Sequence, residues 1–92
     1  MALGIYFAVR GMTSEKFATV HAQLKEVGQD NPPGRAFHAG FRVGDGIHVF
    51  DVWESQETFE AFGQHLMPIL AQNGIDPGEP QIGEIELMMT PD

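Results

Sequence analysis

The segment RAFHAGFRVGDGIHVFDVWE, residues 35–54, decides the fold of this chain. Two apolar runs rich in Phe, Val and Ile predict strands over Arg35–Val43 and Ile47–Glu54. Gly44-Asp45-Gly46 lies between them, and Asp-Gly is a strong hairpin signal because both central positions of a type I′ turn need positive φ. The segment therefore predicts an antiparallel hairpin with Asp45 and Gly46 at its turn.

The position of the turn predicts which residues lie opposite each other on the two strands. One face of the hairpin is strongly apolar, and we expect it to lie under helices; it carries Phe37, Ala39, Phe41, Val43, His48, Phe50 and Val52. The other face is expected to be open, and it pairs His38 with Trp53, Gly40 with Asp51 and Arg42 with Val49. Diagonal neighbours on one face are within side-chain reach, so Asp51 is expected to meet either His38 or Arg42.

The sequence on either side of the hairpin predicts two more strands and two helices. Met1–Arg10 and Ile82–Met89 are apolar runs typical of strands. Thr13 or Ser14 begins a first helix that ends at Gly28, and Ser55 begins a second that ends at Asn73-Gly74, with a kink or early end expected at Pro68. The order β-α-β-β-α-β predicts one α+β domain over residues 1–92. Its fold is ferredoxin-like, with a four-stranded antiparallel sheet and two helices on one face.

Length and charge exclude several classes of function. The chain has 92 residues and a formal net charge of −8, so phosphate backbones and anionic lipid surfaces are expected to be repelled. No apolar run is long enough to cross a bilayer, and the first residues do not resemble an export signal. There is no cysteine, which excludes disulfides and agrees with a cytoplasmic location.

The open face of the predicted sheet is expected to be covered by a second copy of the chain. It carries Trp53 and Val49 from the hairpin, together with Tyr6 and Ala8 from the first strand. A small domain does not normally leave such a surface in water. A homodimer in which two sheets face each other, enclosing a pocket lined by His38, Asp51 and Trp53, is the economical solution.

His38 and Asp51 are the candidate catalytic residues. Imidazole titrates near neutrality, so His38 suits a general base, although it is more often a structural residue on such a surface. Asp51 either orients His38 or forms a salt bridge with Arg42, and the salt bridge is the simpler role. Trp53 is expected to form a stacking wall or to pack in the dimer, and Tyr6 to donate to a ligand oxygen. The four histidines show no metal-ligand spacing, so the sequence predicts no metal site.

The segment from Ile47 to Ser55, followed by Glu57, Phe59, Phe62 and Met67–Leu70, resembles the dimeric α/β-barrel superfamily and its antibiotic-biosynthesis-monooxygenase-like members. The resemblance covers essentially the whole chain and implies a dimeric barrel. Members include cofactor-free oxygenases that act on quinols and anthrones, and heme-degrading monooxygenases. The heme-degrading pattern requires an Asn on the first strand and a Trp and a His on the second helix. This chain has no such Asn, and Phe62 and Gln72 replace the other two.

Two functions therefore stay open at this level. The first is a cofactor-free, monooxygenase-like enzyme for a flat apolar substrate such as a quinol or phenol, with His38 as base, Asp51 as orienting residue, and Trp53, Tyr6, Arg42 and Val49 around the substrate. The second is a non-catalytic ligand-binding or structural dimer. Only the resemblance favours the first.

Overall fold

The computed structural model describes residues 2–91 and has the element order β1 Leu3–Val9, α1 Ser14–Glu26, β2 Arg35–Val43, β3 Gly46–Trp53, α2 Gln56–Gln72 and β4 Gln81–Glu84. The sheet is antiparallel, with strand order β2-β3-β1-β4. This is the predicted ferredoxin-like arrangement. Met1, which the predicted first strand includes, lies outside the described residues.

Local signals in the sequence begin and end both helices. Thr13 accepts a hydrogen bond from the backbone of Lys16, and Ser55 accepts one from Thr58, so each helix starts at a capping hydroxyl. Gly28 and Gly74 follow the two helices with positive φ. The helix α2 continues through Pro68 to Gln72, so the expectation of an early end there is wrong.

The last strand is shorter than predicted and ends opposite the first residue of β1. Glu84 of β4 lies opposite Leu3, the first residue of β1. β1 is the only strand that β4 pairs with in the described sheet. One further backbone hydrogen bond joins Ile85 to Ala2, and residues 85–91 form no strand.

The hairpin turn lies one residue earlier than predicted. Val43 pairs with Gly46, so Gly44 and Asp45 are the central residues. Gly44 has φ of +59°, whereas no non-glycine residue among those described has positive φ. A single glycine with positive φ at the first central position is typical of a type II′ turn rather than the type I′ turn expected. The register moves by two residues and brings His38 opposite Asp51.

The helices cover the face of the sheet that was expected to be open, so the predicted assignment of faces is wrong. Asp51 and Trp53 lie under the helices and are 4% and 0% exposed. The central strand β1 explains this arrangement. Its large residues Ile5 and Val9 lie on the same face as Asp51 and Ile47, and all of these are buried.

Gly40 also lies on the covered face, where it makes room for α1. A Cβ at this position would lie 2.4 Å from the ring of Phe17. The face away from the helices, which we call the open face, carries Phe37, Phe41 and Val43, each between 42% and 49% exposed. At its other end Val52 is buried, and Ile85 lies close to Gly4 on the same face. The apolar hairpin face therefore points away from the helices.

Candidate functional site

A small apolar cavity lies between the sheet and the helices. Its volume is about 60 Å³. Four of its lining side chains are polar or charged: His21, Arg35, His38 and Asp51. The apolar lining comes from both layers and includes Phe7, Phe17, Val49, Phe62, Leu66 and Leu70. An apolar cavity with a few polar groups in its lining has the usual composition of a small-molecule site.

His38 and Asp51 lie opposite each other on β2 and β3 and are hydrogen-bonded. The distance from His38 Nδ1 to Asp51 Oδ1 is 2.5 Å. The side chain of Asp51 is 6% exposed and that of His38 is 23% exposed, so the carboxylate is buried and the ring reaches the cavity. The second carboxylate oxygen accepts from the indole N–H of Trp53 at 3.3 Å. Asp51 is thereby able to hold the ring of His38 in one orientation.

His21 supplies a second imidazole from α1. Its Nε2 lies 2.8 Å from the Nε2 of His38, and its Nδ1 lies 2.8 Å from the backbone oxygen of Phe17. Burial lowers the pKa of His21 below 6.5, and the hydrogen bond to Phe17 opposes that shift. We call His21 and His38 the histidine pair. The sequence alone does not connect His21 with His38, because the two residues lie 17 positions apart on different elements.

Arg35 reaches the cavity because β2 is irregular at its start. Arg35 pairs with Trp53 and Phe37 pairs with Val52, so two residues of β2 match one step of β3. This β-bulge turns Arg35 to the covered face, whereas simple alternation would have placed it beside Phe37 on the open face. Its guanidinium lies 5.7 Å from the centre of the Phe62 ring and donates to the backbone oxygen of Asp30.

The charge of Arg35 faces the same carboxylate that holds His38. Burial lowers the pKa of Arg35 below its ordinary value, and the nearby Asp51 opposes that shift. An arginine stays protonated in proteins, so it presents a fixed positive charge to the cavity.

The other predicted site residues do not all lie at the cavity. Val49 lines the cavity with His38 and Asp51. Trp53 is fully buried against Phe59 and Phe62, at ring distances of 5.7 and 5.1 Å, so it belongs to the core and not to a surface between two sheets.

Arg42 and Tyr6 lie away from the pair of His38 and Asp51. Arg42 donates to the hydroxyl of Ser14 and is exposed, so the expected salt bridge with Asp51 is wrong. Tyr6 is on the open face, where its hydroxyl bonds the ring of His48. His48 was expected on the covered face and lies on the open one.

A groove on the surface leads towards the cavity. It lies between α2 and the connector that follows it, and it has a volume of about 610 Å³. Phe7, Leu66 and Pro77 line both the groove and the cavity and form the wall between them. Among residues 2–91, no three His, Asp or Glu side chains are grouped so that they could hold a metal ion. No helix in this range has the length and apolar character needed to cross a membrane.

Comparison with known proteins supports the fold. No protein-family model matches the sequence, and no curated protein matches it. Solved structures of antibiotic biosynthesis monooxygenase-like proteins share its ferredoxin-like fold. A candidate antibiotic biosynthesis monooxygenase from Chloroflexus aurantiacus is 19% identical with a TM-score of 0.70, over 98% of both chains.

Two further solved structures have a similar fold. A candidate antibiotic biosynthesis monooxygenase from Caulobacter crescentus is 17% identical with a TM-score of 0.65, over 96% of this chain and 91% of that one. SnoaB from Streptomyces nogalater, a cofactor-independent oxygenase, is 18% identical with a TM-score of 0.62, over 96% and 94%. At these identities the likeness shows the fold alone.

Proposed function

We propose that this chain is a cofactor-free, monooxygenase-like enzyme that removes a proton from the hydroxyl group of a flat, mostly apolar substrate. The observation that carries the proposal is the contact between His38 and a buried carboxylate at the edge of an apolar cavity. SnoaB, which shares the fold, is a cofactor-independent oxygenase and supports the same class of chemistry. The lack of cysteine agrees with an enzyme of the cytoplasm.

The site has the groups that such a reaction requires. When a base takes the hydroxyl proton, the electron pair of the O–H bond stays on oxygen, and the resulting electron-rich anion reacts directly with dioxygen. His38 is the base and Asp51 orients it. Arg35 supplies a positive charge in the same cavity, where a low dielectric strengthens its attraction for the anion.

The size of the cavity sets a condition on binding. A cavity of roughly 150 Å³ holds a benzene ring, and the present one is about 60 Å³. A flat substrate therefore enters only when the wall of Phe7, Leu66 and Pro77 opens and joins the cavity to the groove. The small volume is also the observation that favours the alternative function, a non-catalytic ligand-binding or structural module.

Oxygen consumption separates these two functions. The protein is mixed with anthrones, naphthoquinols and flavonols, and dioxygen uptake is followed with an electrode, beside a thermal-shift screen of the same compounds and heme. We expect at least one hydroxylated polycycle to be oxidised, and His38→Gln to slow that reaction by about 100-fold or more. His65→Gln, which changes an exposed histidine of α2, is the control and should keep full activity. Equal turnover by His38→Gln and the unmodified protein would contradict the proposed base.

We also propose that two copies pair through their open faces. Trp53 and Val49, first expected there, lie under the helices instead, whereas Tyr6 and Ala8 lie on the open face as expected. The open face presents Phe37, Phe41 and Val43 to solvent, together with Tyr6 and Phe50. An apolar sheet face of this kind is typical of an interaction surface, and a two-fold dimer covers it on both copies at once.

A further inference from the structure

The far ends of the two imidazole rings are fixed by acceptors. His21 Nδ1 lies 2.8 Å from the backbone oxygen of Phe17, and a carbonyl oxygen only accepts, so this nitrogen carries a hydrogen. His38 Nδ1 lies 2.5 Å from Asp51 Oδ1, and a proton lies between these two atoms. Both Nε2 atoms are therefore left to face each other, at 2.8 Å.

The number of protons in this row of hydrogen bonds follows by counting. Three bonds connect the Phe17 oxygen to the Asp51 carboxylate, and each bond needs one proton. Two neutral imidazoles bring one proton each, and an ionised carboxylate brings none. This row of three hydrogen bonds therefore holds one proton more than two neutral histidines and an ionised aspartate carry. The additional proton lies between the Nε2 atoms.

We propose that the base of this site is the histidine pair and not His38 alone, with the transferred proton held between the two Nε2 atoms. The inference rests on the proposed function and deepens it by adding His21 as a second residue that contacts the reacting proton. Without that proton, two nitrogen lone pairs face each other at hydrogen-bond distance. Accepting a proton replaces this repulsion with an N–H···N bond, and this gain opposes the burial that lowers the pKa of His21.

The step balances in atoms and charge. The O–H bond of the substrate breaks and its electron pair stays on the oxygen, while the proton forms a new N–H bond in the pair. The substrate becomes an anion and the pair becomes a cation beside it. The pair thus selects an uncharged hydroxyl compound, such as a phenol or an enol, because a substrate already ionised in solution has no proton to give.

The groups around the pair allow one extra proton but oppose a second. Asp51 faces it from β3 and Arg35 faces it from β2. The cavity lining from β1, α2 and the residue Pro77 is apolar among the residues described. Burial, His38 and Arg35 lower the pKa of His21, whereas the hydrogen bond to Phe17 and the charge of Asp51 raise it, so the surroundings disfavour a second proton on the pair.

Nuclear magnetic resonance of the full chain with ¹⁵N-labelled histidine tests this directly, without substrate. We expect a nitrogen–nitrogen coupling between the Nε2 atoms of the two rings. It should disappear when the shared proton is released, and the two rings should titrate together in that one step. His21→Asn keeps a polar side chain but does not accept the proton. It should abolish the coupling and move the acidic limb of the pH–rate profile, on which the base loses its proton, whereas the control His65→Gln should change neither.

Two results would overturn the proposal. One is the absence of the coupling at every pH in a folded protein, with the two rings titrating independently. The other is micromolar binding of Zn²⁺ that removes the coupling and depends on both histidines, because the space between the Nε2 atoms would then belong to a metal. The coupling is a property of the protein alone. If the coupling is found but no hydroxyl compound is oxidised, the proposed function fails and the shared proton stands. If oxidation depends on His38 but the coupling is absent, the proposed function stands and the shared proton fails.

Discussion

At the scale of single residues, the site depends on a partly exposed imidazole bonded to a carboxylate that is almost fully removed from water. Asp51 has Trp53 as its other hydrogen-bond donor, at the longer distance of 3.3 Å. A buried charge is tolerated only when it is well paired. The stability of the fold and the geometry of the site are therefore linked through His38.

Removing His38 should destabilise the protein. In His38→Ala the buried carboxylate of Asp51 loses its shortest hydrogen bond, and we expect the free energy of unfolding to fall by about 2–3 kcal/mol. Urea denaturation followed by tryptophan fluorescence measures this. His65→Ala, at an exposed position, should stay within roughly 0.5 kcal/mol of the unmodified protein. A His38→Ala protein as stable as this control would show that Asp51 does not depend on the imidazole.

Acid should destabilise the protein through His21. Its pKa is lowered by burial, so below about pH 6.5 both His21 and His38 are protonated in the unfolded chain, whereas the folded pair takes up no proton beyond the one that it shares. The free energy of unfolding then falls as pH falls from 6.5 towards the lowered pKa, and changes little through His21 above 6.5. Asp51, Arg35 and His38 face this ring and are held constant by comparing the unmodified protein with His21→Asn. The pH dependence between 7 and 5 should be weaker in the variant; an unchanged slope would contradict the lowered pKa.

The residues of the site could be predicted only in part. The contact of His38 with Asp51 follows from strand alternation and holds in either register, because cross-strand and diagonal neighbours share a face. Arg35 could not be found in this way, since the bulge at Ala36 reverses its face and no local signal marks it. His21 belongs to a helix whose position against β2 depends on the packing of Phe17 over Gly40.

At the scale of strands and helices, existence and order were predictable, whereas the orientation of the sheet was not. The hairpin alone has its more apolar face on the side of Phe37 and Phe41. The covered face is decided by β1, where Ile5 and Val9 alternate with the smaller Gly4 and Ala8. The residues of the central strand β1 thus decide which face of the sheet the helices cover. The polarity of the two hairpin faces is a poorer guide to this.

Gly46 tests how closely the hairpin packs against β1. A Cβ at Gly46 would lie 2.4 Å from the backbone oxygen of Val9, whose strand is held in the sheet and does not move freely. Gly46→Ala should lower stability by about 1–3 kcal/mol in thermal unfolding. Gly83→Ala on β4 is the matched control, because a Cβ there meets nothing within 4 Å. Equal effects of the two substitutions would mean that β1 yields at Val9.

At the scale of the whole molecule, the open face and the acidic charge act against each other. A net charge of −8 on 92 residues makes copies of the chain repel over long distances. The exposed Phe37 and Phe41 favour contact at short range. Pairing is therefore expected to strengthen with salt, which screens the repulsion and leaves the apolar contact.

Sedimentation velocity measures this pairing. We expect a dimer at micromolar concentration, and we expect Phe41→Glu to give a monomer because it buries a charge in the contact. Val27→Glu changes a residue after α1 that is 53% exposed, on the other side of the sheet, and should leave the dimer intact. A monomer for the unmodified chain in both low and high salt would contradict the proposed dimer.

The proline within α2 has a consequence for how the molecule makes room. Pro68 has no backbone N–H, so the carbonyl of Gln64 lacks its helical donor, and the final turn is tied to the rest of the helix by one bond fewer. That turn carries Leu70, which lines the cavity, and Leu66 on the turn before it forms part of the cavity wall. A movement of the last turn about Pro68 would therefore break fewer hydrogen bonds than the same movement in an unbroken helix, so of the elements around the cavity α2 has a backbone suited to yielding.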